Sequence, residues 1–336
     1  MAIQPTLVLA PMQAVTNLPF MRVMQKYGGP DYYVTEYFRV HEKYHVEKKI
    51  LRSITENTTG RPIYAQLIGQ DIEALIRVSK ELEAYPIAGI DLNLGCPAPV
   101  VYRKDAGGGL LRKKEQMENI IASLRDTISG KFTVKTRVGF DSEAEFVDLL
   151  EIFKRYGIDT LTIHGRTVME RYMTPVHTDC IKQAVEQIDC PVIANGNVVD
   201  VSTGLGMMRE TEAEGLMIGR GAIRNPWIFD QLRAAYSQSE PYLVRRADLY
   251  NYIMDLYDEV AVFAANYDED KHVQRMKKYL TYISQGVDEE FEYRIRRAKK
   301  AVEFKEICKY SLDNADLVPE RPPENSKIFC GFAALR

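Results

Sequence analysis

The stretch DLNLGCPAP, residues 91–99, is where the reading of the fold begins. Apolar Ile90, Leu92 and Leu94 alternate with Asp91 and Asn93, the period-two pattern of a β-strand. The pattern stops at Gly95, and a cysteine follows, wedged between that glycine and Pro97. The same unit, a short strand-like run and then an amphipathic stretch, recurs along most of the chain. Strands are predicted at 7–10, 32–35, 62–68, 89–94, 132–138, 160–164, 191–195 and 215–218, and helices at 71–84, 115–129, 142–156, 179–187 and 199–210. Asp71 ahead of Ala74, Leu75 and Val78 has the cap-then-apolar-face signature of a helix start. Eight strands, each but the second followed by a helical pattern, predict an α/β fold. It would be a (β/α)8 TIM barrel over residues 1–240, with a doubly wound open sheet as the alternative. The segment 36–61 is long and polar for a βα connection and reads as a functional loop.

Beyond Pro241 the alternation disappears. Residues 241–315 read as a smaller all-helical C-terminal domain, and 316–336, with three prolines between Val318 and Pro323, as an extended tail. Residues 241–310 carry 13 basic and 13 acidic side chains in separated blocks, so this region is neutral but segregated.

The 336 residues are 46% apolar and 27% charged, which predicts a large packed core rather than disorder. A net charge of −3 argues against a nonspecific polyanion binder but leaves room for a local basic patch. No run approaches the ~20 apolar residues needed to cross a bilayer, and the N-terminal MAIQPTLVLAPM lacks the charged start of a signal peptide. Cys96, Cys180, Cys190, Cys308 and Cys330 form no CxxC pair, as expected of free thiols in the cytoplasm. No metal site, membrane contact or obligate oligomer is expected; a monomer is.

In such a barrel the chemistry sits at the C-terminal strand ends. Reading them in order gives Pro11, Met12 and Gln13; Gln66; Asn93 and Cys96; Lys135 and Arg137; His164 and Arg166; Asn195, Gly196 and Asn197; Gly219 and Arg220. Polar groups recur where buried strand ends would otherwise be apolar, and that concentration calls for a ligand. The glycine-flanked turn of MIGRGAIRNP, 217–226, beside ANGN, suits a phosphate, although the glycines could serve tight turns alone. GRGAIR lacks the third glycine of a dinucleotide fingerprint. A lysine inside FTVKTRVG asks for an anion, such as the N1–O2 edge of a reduced flavin. Gln66 can donate and accept at the amide-like edge of such a ring, and His164 can bond the ring, touch phosphate or fill a polar core position. Cys96 has three readings: an inert buried thiol, a nucleophile, or a general acid. A thiol with an ordinary pKa of ~8.5 is protonated at neutral pH and can complete a hydride reduction of a polarised C=C bond, such as C5=C6 of uracil.

LAPM, DLNLGCP with GGGLL behind it, VKTRVG, IHGRT, VIANGN and MIGRGA resemble, in order, the signature blocks of the tRNA-dihydrouridine synthases. HVQRMKKYLTYIS, 272–284, is similar to that family's C-terminal tRNA-binding helices, and TEYFRV, 35–40, points to its bacterial C-type subgroup, which acts on position 16 of the D-loop. The resemblance implies an enzyme that uses FMN, with NADPH (or NADH) as reductant, to convert D-loop uridines of tRNA to 5,6-dihydrouridine. Hydride would reach C6 from FMN, and Cys96 would protonate C5. It also implies that Pro11, Met12, Gln13, Gln66, Lys135 and His164 hold the flavin ring and that Asn195, Gly196, Asn197, Gly219 and Arg220 hold its phosphate. Asn93, Arg137 and Arg166 would face the substrate, with Arg275, Lys277 and Lys278 on the RNA. Tyr37, Phe38 and Tyr102 are candidate stacking partners for the flipped base. One position departs from the family: where many relatives have a basic residue stands Val100, with Arg103 and Lys104 following. The rival readings are an FMN-dependent reductase of a free pyrimidine and a non-catalytic tRNA-binding relative.

Overall fold

The computed structural model describes residues 4–264 and 267–320. Nine parallel strands form one sheet: β1 (Thr6–Leu9), β2 (Tyr32–Val34), β3 (Phe38–Arg39), β4 (Ile63–Ile68), β5 (Gly89–Asn93), β6 (Lys131–Arg137), β7 (Thr160–His164), β8 (Val192–Asn195) and β9 (Gly215–Ile218). β1 pairs with both β2 and β9, and β2 pairs with β4, so eight strands close on themselves while the two-residue β3 extends the edge of β4. Closure excludes the open doubly wound sheet. The five helices read from the sequence appear within a few residues of their expected bounds: Ile72–Leu82, Lys114–Thr127, Phe146–Arg155, Thr178–Gln187 and Val201–Thr211. The segment 36–61, expected to be a loop, holds β3 and the helix Lys48–Thr55, so the second unit has a helix too. Its polar composition hid it, because only Ile50, Ser53 and Ile54 of that helix are buried.

Alternation sorts the side chains. Leu7, Leu9, Ile90, Leu92, Val134 and Ile163 join the large core beneath the helices. Val8, Val34, Tyr64, Ile193 and Met217 form a separate cluster with Tyr32. These residues alternate with the helix-facing ones, so they are the apolar plug of the barrel interior. Above them the inward positions turn polar.

The helices Arg246–Val262, Glu269–Ile283, Glu289–Ile295 and Ala301–Leu312 form the C-terminal region, as the loss of alternation predicts. Their core is continuous with that of the barrel. Tyr252 and Trp227 pack edge-on against Tyr27, whose hydroxyl donates to Asp255 at 2.9 Å. Residues 317–320 run back across this joint, with Leu317 bridged to Arg245; residues 321–336 of the expected tail lie outside the described residues. Arg224 fastens the joint: Nε donates to the carbonyl of Gln285 at 3.0 Å, Nη1 to Glu320 at 2.8 Å and Nη2 to Pro319 at 2.6 Å. Substituting Arg224→Met strips three carbonyls of their donor, at ~1–3 kcal/mol for each one left buried and unpaired. Chemical denaturation should show a loss of about 2–4 kcal/mol; an unchanged midpoint would mean that water replaces the guanidinium freely.

Candidate active site

At the C-terminal ends of the strands lies a cleft of about 320 Å³. It is lined by Pro11, Met12 and Gln13 of the loop after β1 and by Asn93 and the Gly95–Pro99 turn after β5. Lys135, Arg137, His164 and Asn195 form the back, and Gly196, Asn197, Gly219 and Arg220 close one corner. Arg137, His164, Asn195 and Met217 are register neighbours across β6–β9, so a single row of the barrel presents most of this wall.

The Cys96 turn is gripped from two sides. Asn93 Oδ1 accepts the N–H groups of Gly95 and Cys96, each at 3.0 Å, and Arg137 Nε donates to the Gly95 carbonyl at 2.8 Å. Burial pushes the Cys96 thiol up, against the opposing pull of Arg137, Arg39 and Lys135, so it is neutral at physiological pH. The Tyr37 hydroxyl is pushed up to about 12, chiefly by burial and then by the thiol beside it.

Charge in the rest of the cleft is one-sided. Lys135 is pushed down to about 8 by burial and by Arg137, while its Nζ donates to Asn195 Oδ1 at 3.2 Å. Arg166 is pushed down to about 10 by burial, Arg220 and Arg137. His164 is driven well below its ordinary range by burial and then by all four of these cations, so it stands neutral. Its Nδ1 and the Nη1 of Arg166 are buried with no partner. A cationic pocket with an orphaned ring nitrogen, His164 Nδ1, in its lining is built to receive an anion.

The corner expected to hold phosphate is cut from backbone. Gly196 has φ 137°, in the region that favours glycine. A Cβ on Gly221 would lie 2.3 Å from the Val198 carbonyl, so the loops after β8 and β9 touch as one cradle.

Thirteen of the fifteen strand-end residues singled out from the sequence meet at this cleft, with Tyr37 beside them; Gln66 and Arg166, and of the other stacking candidates Phe38 and Tyr102, do not line it. Gln66 is fully buried beneath Asn93, its amide engaged by Asp91 and Asn93. Arg166 lies behind the wall, its Nε donating to the Thr174 carbonyl at 2.5 Å. Arg275, Lys277 and Lys278 are also outside the cleft, on the helix Glu269–Ile283. That helix still reaches the cleft loop, for the Tyr279 hydroxyl donates to the Val15 carbonyl at 3.2 Å. Val100 is exposed, and in place of a basic side chain there, Arg39 donates to its carbonyl at 2.8 Å; Arg103 and Lys104 are exposed. Tyr172, on the loop after β7, was missed. Arg220 stacks on its ring at 4.6 Å and Arg137 at 5.5 Å, and His164 meets it edge-on at 5.8 Å. With 20 tyrosines in the chain, its sequence signal was only its position shortly after IHGRT.

A family model described as dihydrouridine synthase (Dus) matches residues 8–316, which spans the barrel, the cleft and the C-terminal helices. The chain belongs to the dihydrouridine synthase family. It is 28% identical over 312 residues to a tRNA-dihydrouridine(16) synthase of Neisseria meningitidis, covering 90% of this chain and 93% of that one. To a protein of the same description from Haemophilus ducreyi it is 30% identical, covering 85% and 88%. To tRNA-dihydrouridine synthase B of Pasteurella multocida it is 29% identical, covering 83% of each. Among solved structures, histamine dehydrogenase from Rhizobium aligns with a TM-score of 0.54 at 11% identity, over 94% of this chain and 64% of that one. A morphinone reductase variant in complex with tetrahydroNAD aligns with a TM-score of 0.51 at 12% identity, over 70% and 88%; at such identities the likeness shows the barrel fold alone.

As a dihydrouridine synthase the protein is a flavin-dependent oxidoreductase. The cleft fits a flavin on its own evidence: surplus positive charge, the orphaned His164 Nδ1 and the backbone cradle after β8 and β9. Among the described residues no helix is long and apolar enough to cross a membrane.

Proposed function

We propose that this dihydrouridine synthase reduces the C5=C6 bond of a D-loop uridine in tRNA, with FMN in the cleft and NADPH as reductant. The observation that carries the reading is a neutral thiol, Cys96, held by Asn93 on the wall of a cationic cleft. FMN, when bound, supplies the hydride for C6. Cys96 keeps the proton for C5 and stays protonated because burial disfavours its thiolate. Asn93 and Arg137 fix the turn that carries the thiol and orient the base. Lys135 and neutral His164 take the ring's polar edge, Pro11, Met12 and Gln13 lie along the ring, and Asn195, Gly196, Asn197, Gly219 and Arg220 take the phosphate. Arg275, Lys277 and Lys278 supply cations for tRNA phosphates, and their helix adjoins the loop on which Met12 and Gln13 sit. Position 16 is the target we favour, supported by the descriptions of the Neisseria and Haemophilus relatives. The enzyme works as a monomer in the cytoplasm, where its tRNA is.

The test is an absorbance spectrum of the purified protein, then anaerobic NADPH bleaching with and without unmodified tRNA. A yellow protein bleached by NADPH and re-oxidised by tRNA, but not by free uracil, is the expected result. Re-oxidation by a free pyrimidine alone would move the assignment to a small-molecule reductase. A protein that stays colourless after FMN is added would overturn the catalytic reading. Mapping dihydrouridine in the product tRNA checks position 16.

A further inference from the structure

Beneath the cleft runs a chain of buried hydrogen bonds that ends on the Cys96 turn. It begins at Asp91, in register with Gln66 on β4 and Thr133 on β6. Thr133 Oγ1 donates to Asp91 Oδ1 at 2.6 Å, and Gln66 Nε2 donates to Asp91 Oδ2 at 2.7 Å. Asn93 Nδ2 donates to Gln66 Oε1 at 2.8 Å. Asn93 Oδ1 then accepts the N–H groups of Gly95 and Cys96. Asp91, Gln66 and Asn93 are all buried.

This chain has a direction, and its two ends fix it together: Asp91 accepts at one, and the Gly95 and Cys96 N–H groups donate at the other. The amides of Gln66 and Asn93 satisfy neighbours in either orientation, because each carries a donor end and an acceptor end. Burial pushes the Asp91 carboxyl up, against the hydrogen bonds from Thr133 and Gln66 and the charge of Lys135; ionised, as those partners favour, it only accepts. It therefore draws the NH2 of Gln66 towards itself, which turns Oε1 towards Asn93. Asn93 must answer with its NH2, which leaves Oδ1 for the two turn N–H groups. Reversing the chain would set the Asn93 NH2 against two backbone donors, with no acceptor between them. Asp91 is also the carboxylate whose field opposes the depression of Lys135.

We propose that Asp91 is a positioning residue: it anchors the acceptor end of the Gln66–Asn93 hydrogen-bond chain and so steadies the turn that presents Cys96. The inference rests on the reading of Cys96 as the proton donor, and it concerns geometry two side chains away from that thiol.

The experiment compares the holoenzyme with Asp91→Asn, Gln66→Met and the double variant Asp91→Asn/Gln66→Glu. Two readouts are taken: deuterium exchange of the Gly95 and Cys96 amides, and tRNA-driven re-oxidation of the reduced flavin. Asparagine at 91 can offer Gln66 either a carbonyl or an NH2, so the chain loses an anchor that only accepts. Exchange should then quicken roughly tenfold, as for one lost hydrogen bond, and re-oxidation should slow by about 100-fold, as for a reacting group displaced by about an ångström. Gln66→Met cuts the chain at its middle link and should give the same two changes without touching Asp91. In the double variant an acceptor-only group stands at position 66, which restores that anchor, and both readouts should return towards the parent. Unchanged exchange in the single variants, or no recovery in the double variant, would overturn the proposal. Cys96→Ala, run alongside, separates the two ideas: full turnover without the thiol removes the acid role, while the exchange data still judge Asp91 as the group that orders the turn.

Discussion

Replacing Cys96 with alanine is expected to lower dihydrouridine formation by roughly 10²–10⁴-fold, the range in which a positioned general acid contributes. The flavin should stay bound, because the cofactor groups of the cleft, Lys135, His164 and the loops after β8 and β9, are untouched. NADPH should still bleach it. The defect should appear only when tRNA is added, as slow re-oxidation in single-turnover measurements. The direction of the thiol's pKa matters here. A nucleophilic cysteine needs a depressed pKa, and burial raises this one even though Arg137, Arg39 and Lys135 oppose the rise. The inert reading of Cys96 makes the opposite prediction, and full turnover by the alanine variant would establish it.

The second large effect is expected at Lys135. Lys135→Met keeps most of the side chain's volume but removes the cation that adjoins Asn195 at the back of the cleft. Loss of a charge-assisted hydrogen bond of ~1.5–3 kcal/mol should weaken flavin binding roughly 10–100-fold, measured by titrating the flavin-free protein. Turnover at saturating FMN should fall by about 100-fold, as when one donor to a developing negative charge is lost. Burial and Arg137 hold this lysine near about 8 in the flavin-free protein. Its charged form, the one that attracts an anion, is therefore present below that pH and lost above it. FMN affinity of the parent should decline as pH rises through about 8, with the bound anion moving the midpoint upward. The methionine variant should lack that step, and without flavin it should melt no lower than the parent, because a buried cation among cations has been removed. A parent affinity flat from pH 7 to 9 would assign the anion to the arginines instead.

The eight-strand barrel was legible because each strand alternates two kinds of residue. Leu7, Leu9, Ile90 and Leu92 face helices, while Val8, Asp91, Asn93 and Lys135 carry the inward pattern. A polar residue at every second place near a strand end marks both the face and the end on which the site lies. The helix Lys48–Thr55 escaped because its apolar stripe is thin, with few buried positions amid lysines and polar residues. Tyr172 escaped for another reason: it acts through stacking with Arg220 and Arg137, which arrive from other strands, and no spacing within its own loop encodes that meeting.

Gln66 and Arg166 show the converse. Gln66 lies on β4 and Arg166 two residues past the end of β7, and each is buried without lining the cleft. A sequence reports which face of a strand a residue occupies, but not its depth relative to its neighbours. Depth depends on the stagger between strands, which is fixed only when β1 meets β9 and the ring closes.

The sequence by itself determined the eight strands with their helices, the helical region after them, the strand ends that carry chemistry and the thiol at their rim, because local periodicity and short motifs encode all of these. Only the tertiary structure decided that the strands close, which polar groups reach the cleft, that Lys135 is driven towards its neutral form, and that a chain of amides runs from Asp91 to the Cys96 turn. Protonation and hydrogen-bond direction depend on burial and on charges brought together from strands far apart in the chain, and those come into being only when the chain folds.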